Sequence, residues 1–260
     1  MTTAALRHGD FTGLAENYAH YRPWYAESVL TAVLAMTGKP VDQIDAVDVG
    51  AGTGIWTGML AARRCHSVTA VEPNDDMRNW GAKMTAGKNI EWRKGDGEKT
   101  GLADGSADFL SMASSFHWVD FERGMCEFHR VLRSNGRFTA VWNPRLIEAN
   151  PLLVEIEAQL RVLNPNLNRV SSGRSGITER LTEMLAARPD FDDVVYIEGR
   201  HEKFQTTNEY LGAWRSVNDI QVQLGPQKFA EFLSFVEKRL SGLPGVSTTY
   251  LTRAWTARSR

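Results

Sequence analysis

Between residues 46 and 142, short strand patterns alternate with helix patterns, and no other feature of the chain limits its possible folds as sharply. Strand patterns cover residues 46–49, 68–71, 90–93, 107–112 and 136–142, and helical periodicity covers 54–64, 75–85 and 121–132. The strands are nearly continuous apolar runs, as expected when both faces of a sheet are covered. Such alternation specifies an α/β fold, a parallel sheet with helices on both faces. Ligands in that architecture bind beyond the carboxyl ends of the strands. The unusual clusters of this sequence fall at those ends: glycines 50, 52 and 54 after the first strand, Glu72-Pro73 after the second, Gly95-Asp96-Gly97 after the third, and "SSFHWVDF" (residues 114–121) after the fourth.

The flanks complete the plan. A helix is predicted over residues 25–36, where Val29, Leu30, Val33 and Leu34 recur at helical spacing after Pro23 and before Gly38-Lys39-Pro40. Beyond residue 142, helices are predicted over 152–163, 177–187 and 208–240, the last broken near Gly225-Pro226, with a polar connection over 164–176. Strands at 194–204 and 246–257 would close a seven-stranded, mostly parallel sheet whose last strand is antiparallel, with helical insertions in the C-terminal half. The expected organisation is one domain: a lid and helix in 1–40, the sheet core in 41–143, and covering helices with closing strands in 144–260.

Composition narrows the class of function. With 260 residues and 42% hydrophobic content, a full core needs no disulfides. The two cysteines, Cys65 and Cys126, form no CxxC pair, so no metal site is expected and a reducing cytoplasm is the expected location. No apolar run approaches the roughly 20 residues that span a bilayer, so no membrane partner is expected. The N-terminal MTTAALRHGDF lacks the apolar stretch of a signal peptide. A formal net charge of -1 lacks the basic excess of a phosphate-backbone binder, which argues against nucleic acid as the partner.

The loop "VDVGAGTGIWTG" carries the most specific chemistry. Its G-x-G-x-G spacing lets backbone approach a ligand closely. It lacks the third glycine of a dinucleotide fingerprint and the Lys of a P-loop, so no pyrophosphate or triphosphate is indicated. Glu72 follows Gly52 by twenty positions, where a carboxylate accepts ribose hydroxyls, and Asp96 stands where an adenine amino group would be met.

These motifs together resemble the class I S-adenosylmethionine-dependent methyltransferases, whose first motif is an acidic-x-G-x-G-x-G run; the agreement extends through Glu72-Pro73, Gly95-Asp96-Gly97, "SFHWVD" and "HRVLRSNGRF". The segment "AENYAHYRPWY" is similar to the N-terminal segment of the trans-aconitate methyltransferase-like branch. The resemblance covers about residues 11–143 and implies a Rossmann-like sheet, S-adenosyl-L-methionine as cofactor and S-adenosyl-L-homocysteine as product. It implies that Asp48 and the backbone of Gly50, Ala51 and Gly52 hold the methionine portion, with Glu72-Pro73 at the ribose. Asn74 and Met77 would flank the adenine, and Asp96 with Gly97 would meet its amine. Ser114 and Phe116 would lie along the cofactor, with Tyr18, Tyr21 and Arg22 folded over the site.

Several residues carry two readings each. His117 is a general base or a hydrogen-bonded pocket liner, and Tyr21 is the alternative base. Trp118 is an aromatic lid attracted to the sulfonium or a core residue. Trp24, Trp142 and Trp214 form a substrate wall or belong to the core. The expected acceptor is a small molecule, methylated on oxygen, nitrogen or carbon by a monomer or homodimer. The rival readings are a tRNA or rRNA methyltransferase, a nicotinamide dehydrogenase, and a non-catalytic S-adenosylmethionine-binding module.

Overall fold

A computed structural model of the chain describes residues 11–168 and 176–260. Its seven strands lie in the order β3-β2-β1-β4-β5-β7-β6. They are β1 (Asp45–Val49), β2 (Ser67–Val71), β3 (Glu91–Arg93), β4 (Ala107–Ala113), β5 (Leu132–Trp142), β6 (Phe191–Gln205) and β7 (Val246–Ser259). β1 to β5 are mutually parallel, and β7 runs antiparallel between β5 and β6. This is the Rossmann-like mixed sheet expected, with its last strand reversed. From β1 the chain builds outward to β2 and β3, then returns to add β4 on the other side of β1. The order therefore reverses between β1 and β4, and a crevice opens above their carboxyl ends.

The helices are α1 (Ala15–Tyr21), α2 (Glu27–Ala35), α3 (Ile55–Ala62), α4 (Asp75–Met84), α5 (Phe121–Val131), α6 (Pro151–Leu163), α7 (Leu181–Ala186), α8 (Thr207–Arg215) and α9 (Asn218–Leu240). Alternation along β4 feeds both faces of the sheet: Leu110 and Met112 join the cluster beneath α5, while Phe109 joins the cluster beneath α2 and α3. Each such fully buried side chain contributes about 1.5–3 kcal/mol of transfer free energy. A third cluster, built on Leu153, Ile156, Trp214 and Phe232, packs α6, α8 and α9 together and against Val246 at the start of β7.

Several boundaries differ from expectation, and β5 begins at Leu132 rather than 136. The single helix expected over 208–240 is two: α8 ends at Arg215, and Asn218 begins α9. The break near Gly225-Pro226 is a kink inside α9, where Gly225 takes φ 71 and Pro226 supplies no amide hydrogen. The lid segment contains α1, and β6 begins at Phe191 rather than 194. The part of the polar connection at residues 169–175 lies outside the described residues. Among the described residues no helix is long and apolar enough to cross a membrane.

Candidate functional site

The chain turns sharply where β1 meets α3. Gly50, Gly52 and Gly54 all take left-handed φ (65, 57 and 79), and a Cβ at Gly50 would lie 2.7 Å from the Ser115 side chain. The turn is tied to the next strand, because Gly50 and Ala51 donate their N–H groups to the Val71 carbonyl at 2.8 and 3.1 Å. Gly52 donates to Glu72 Oε2 at 2.7 Å, and Asn74 donates its backbone N–H to Glu72 Oε1 at 2.9 Å. Burial raises the Glu72 carboxyl above the ordinary carboxylate range, opposed by those two amides and by Arg78. The Asn74 side chain in turn caps α4 by accepting the Met77 N–H at 3.0 Å.

A cavity of about 180 Å³ opens in front of this turn. Gly50, Ala51, Gly52, Glu72, Pro73, Asn74 and Met77 line one side, and Ser114 and Trp118 line the β4 side. The N-terminal segment supplies Phe11, Tyr18 and Tyr25. A second cavity of about 90 Å³ adjoins it, with Arg22, His117, Asn143, Asn218 and Asp219 on its walls. Phe11, Tyr18, Tyr25, Ile55, Ser114 and Trp118 line both.

The N-terminal strap owes its place to hydrogen bonds. Gly13 donates to Asp76 and the Asn74 amide donates to Thr12 Oγ1, docking the strap on the start of α4. Arg22 lies over the Tyr18 ring at 4.8 Å and donates to Ser216 Oγ at 2.8 Å and to the Ser216 carbonyl at 3.2 Å. Lys203 donates to the carbonyls of Tyr21 and Arg22, and Asn143 Nδ2 donates to that of Trp24 at 2.8 Å. The Ala26 N–H reaches Thr252 Oγ1.

Several expected site residues lie elsewhere. Asp48 does not reach the cavity. It is fully buried behind the turn, where it accepts from Thr57 Oγ1 at 2.6 Å and Ser111 Oγ at 3.3 Å, and desolvation pushes its carboxyl up to about 7. Phe116 belongs to the core, packed on Phe121, Phe128 and Phe138. Trp142 and Trp214 are likewise core residues, each no more than 2% exposed, because their strand and helix face inward. Trp24 is 47% exposed and carries Lys203 over its ring, outside both cavities. Tyr21 also lines neither cavity: its ring packs so closely on Gly212 of α8 that a Cβ there would come within 2.3 Å.

Asp96 and Gly97 occupy an open groove beside the first cavity, joined to it at Trp118. Asp96 Oδ1 accepts the N–H groups of Glu98 and Lys99 at 2.9 and 2.8 Å. His117 sits in the second cavity with its Nδ1 accepting the Trp142 indole N–H at 3.4 Å, so the neutral ring carries its proton on Nε2. That arrangement leaves a donor, not a lone pair, on the other nitrogen. Tyr25, Asn143 and Asp219 were missed as site residues by sequence reasoning. Tyr25 had a signal, since it closes the "RPWY" run, whereas Asn143 and Asp219 follow a strand end and a helix start without any motif.

Residues 47–140 match the model of a family described as methyltransferase domain. An uncharacterized methyltransferase-like protein of Schizosaccharomyces pombe is 34% identical over 99 residues, 38% of each chain. An uncharacterized methyltransferase of Mycobacterium tuberculosis is 34% identical over 128 residues, 49% of each chain. The matched segments thus span half or less of these relatives' own length. In structure, the chain resembles a protein solved as a "Putative Type II Methyltransferase" from Anaeromyxobacter dehalogenans, with a TM-score of 0.66 at 21% identity, covering 92% of this chain and 98% of that one. That likeness is one of fold. Residues 47–140 are thus similar to a methyltransferase domain, and the cavity lies at the strand ends of that segment.

Proposed function

We propose, from the likeness of residues 47–140 to a methyltransferase domain, that the chain is a class I methyltransferase that transfers a methyl group from S-adenosylmethionine to a small-molecule acceptor. The observation that carries this reading is the first cavity. It offers a backbone turn and a buried carboxylate for an uncharged ribose, with no phosphate cradle. Glu72 already accepts one amide on each oxygen, and each oxygen keeps a further lone pair for a ribose hydroxyl. In this reading Pro73, Asn74 and Met77 flank the adenine, Asp96 Oδ2 accepts its amine, and the loop backbone holds the methionine portion.

Trp118, 41% exposed and common to both cavities, faces the sulfonium, whose charge favours an aromatic face. The second cavity is the acceptor site, and its size of about 90 Å³ suits a metabolite better than a polymer. The donor is already activated, so holding nucleophile, methyl and sulfur in line supplies most of the rate. His117 acts as a hydrogen-bonding liner of that site, given the tautomer that Trp142 imposes. The trans-aconitate methyltransferase-like branch is proposed on the "AENYAHYRPWY" segment, which is the strap over both cavities.

The test is calorimetry with S-adenosylmethionine and S-adenosylhomocysteine, followed by a metabolite screen for S-adenosylhomocysteine release. Absence of binding to either nucleoside would overturn the reading. Binding without release against any acceptor would convert it to a non-catalytic cofactor-binding module.

A further inference from the structure

Within the wall common to the two cavities, two hydroxyls meet. Tyr25 Oη and Ser114 Oγ lie 3.0 Å apart in a hydrogen bond, joining the entry to α2 with the end of β4 across 89 positions of sequence. Both are fixed from behind. The Tyr25 ring packs edge-on against Trp56 at 5.2 Å, and the Trp56 indole donates to Ser111 Oγ at 3.0 Å. Ser114 donates its N–H to the Val141 carbonyl at 2.7 Å and takes φ 56, a left-handed conformation that disfavours any residue with a Cβ. Among the described residues, the other non-glycine positive φ values belong to Arg64, Asn135 and Asp193, none of which lines either cavity. A strained serine held in place at a cavity wall marks placement for use.

We infer that the Tyr25–Ser114 hydroxyl pair stands at the point of methyl transfer and positions the acceptor's attacking atom there. The inference rests on the methyltransferase reading of the site. One hydroxyl proton closes the bond within the pair, and the other is left to meet a lone pair of the acceptor. The oxygens retain lone pairs for an acceptor O–H or N–H. Burial holds the Tyr25 phenol far above its ordinary range, so the pair stays protonated and orients a nucleophile without deprotonating it. Tyr25 and Ser114 are therefore positioning residues, and the geometry they impose is collinearity with the departing sulfur.

The test uses two cofactor analogues that differ where the methyl sits. Sinefungin carries an amine at that place, and S-adenosylhomocysteine carries nothing there. Tyr25→Phe keeps the ring on Trp56, and Ser114→Gly keeps the left-handed backbone without strain. Each variant should weaken sinefungin about tenfold while leaving S-adenosylhomocysteine within about twofold, as expected for one lost hydrogen bond to a charged group. Equal loss for both analogues, which a merely structural pair would give, overturns the inference, as does no loss for either. A wild-type chain that binds neither analogue sinks the methyltransferase reading instead, so the two failures are distinguishable.

Discussion

The cavity has two walls made in different ways. The wall from β1, β2 and α4 is backbone: glycine amides, the turn after Gly50, and a carboxylate fixed by main-chain N–H groups. The wall from the strap is side chain, held by Arg22 on Ser216, Lys203 on the Tyr21 and Arg22 carbonyls, and Asn143 on the Trp24 carbonyl. The backbone wall tolerates little substitution at Gly50, because a Cβ there meets the Ser115 side chain at 2.7 Å. A side-chain wall can be rebuilt around a different acceptor while the cofactor stays where it is. The first wall accordingly fits a constant ligand and the second a variable one.

The largest effect expected is on the backbone wall. Gly50→Ala places a Cβ against Ser115 at 2.7 Å in a left-handed backbone, and should lower S-adenosylhomocysteine affinity by about 100-fold or more through displacement of the turn. Calorimetry finding wild-type affinity in this variant would break the comparison outright. Glu72→Ala comes next: losing charge-assisted hydrogen bonds to the ribose should cost about 1–3 kcal/mol of cofactor binding. On the strap, Asn143→Ala frees the Trp24 carbonyl and the Thr252 hydroxyl, and should cost about 1–2 kcal/mol of stability in urea unfolding. S-adenosylhomocysteine affinity should change by less than about twofold. A cofactor defect as large as that of Glu72→Ala would show that the two walls are not separable.

Asp48 sits behind the backbone wall and gives it a pH dependence. Its folded-state carboxyl, pushed up to about 7 by burial, lies above the unfolded value near 4. The native state therefore holds a proton that the unfolded chain releases. This group's contribution is fully present below about pH 4, declines as pH rises, and is gone above about pH 7, with an upper bound of about 4 kcal/mol. Against burial, Asp45 is depressed by hydrogen bonds from His66, Ser67 and Arg133, and Asp108 by those from the Asp45 amide, Lys39 and Arg133, so both act in the opposite sense at lower pH. Comparison with Asp48→Asn isolates the buried group: the stability of the wild type relative to the variant should fall between pH 4 and 7. A difference that is flat with pH would remove the proton from Asp48.

The same contrast explains what the sequence made legible. The seven strands and the turn at Gly50 could be read because local rules place them: strand period and glycine spacing. The strap was legible only through the family resemblance and not through local rules, because α1 and the segment through Ala26 are set by partners up to 226 residues away, such as Thr252 for the Ala26 amide. Tryptophans were the poorest guide. Trp142 and Trp214 carry the same residue type as the exposed Trp24, and only burial by the third helical cluster and the sheet separates them. Asp48 shows the converse: a motif position read as ligand contact acts one layer behind it, through Thr57 and Ser111.

Asp96 yields the smallest expected effect and the finest test of the backbone wall. Its Oδ1 is committed to the Glu98 and Lys99 amides, so its contribution to a ligand falls on Oδ2, and the residue lines a groove open to solvent. A hydrogen bond there competes with water and should be worth about 0.5–1.5 kcal/mol. Asp96→Asn keeps an oxygen for the turn but offers an amide NH₂ where the adenine amine needs an acceptor. The variant should lose roughly three- to tenfold in S-adenosylhomocysteine affinity. S-inosylhomocysteine, which has an acceptor oxygen in place of that amine, separates recognition from mere loosening of the turn. The wild type should prefer the adenine nucleoside, and Asp96→Asn should erase or reverse the preference. If both proteins discriminate equally, Asp96 serves the turn alone and the adenine is read by Asn74 and Met77 without it.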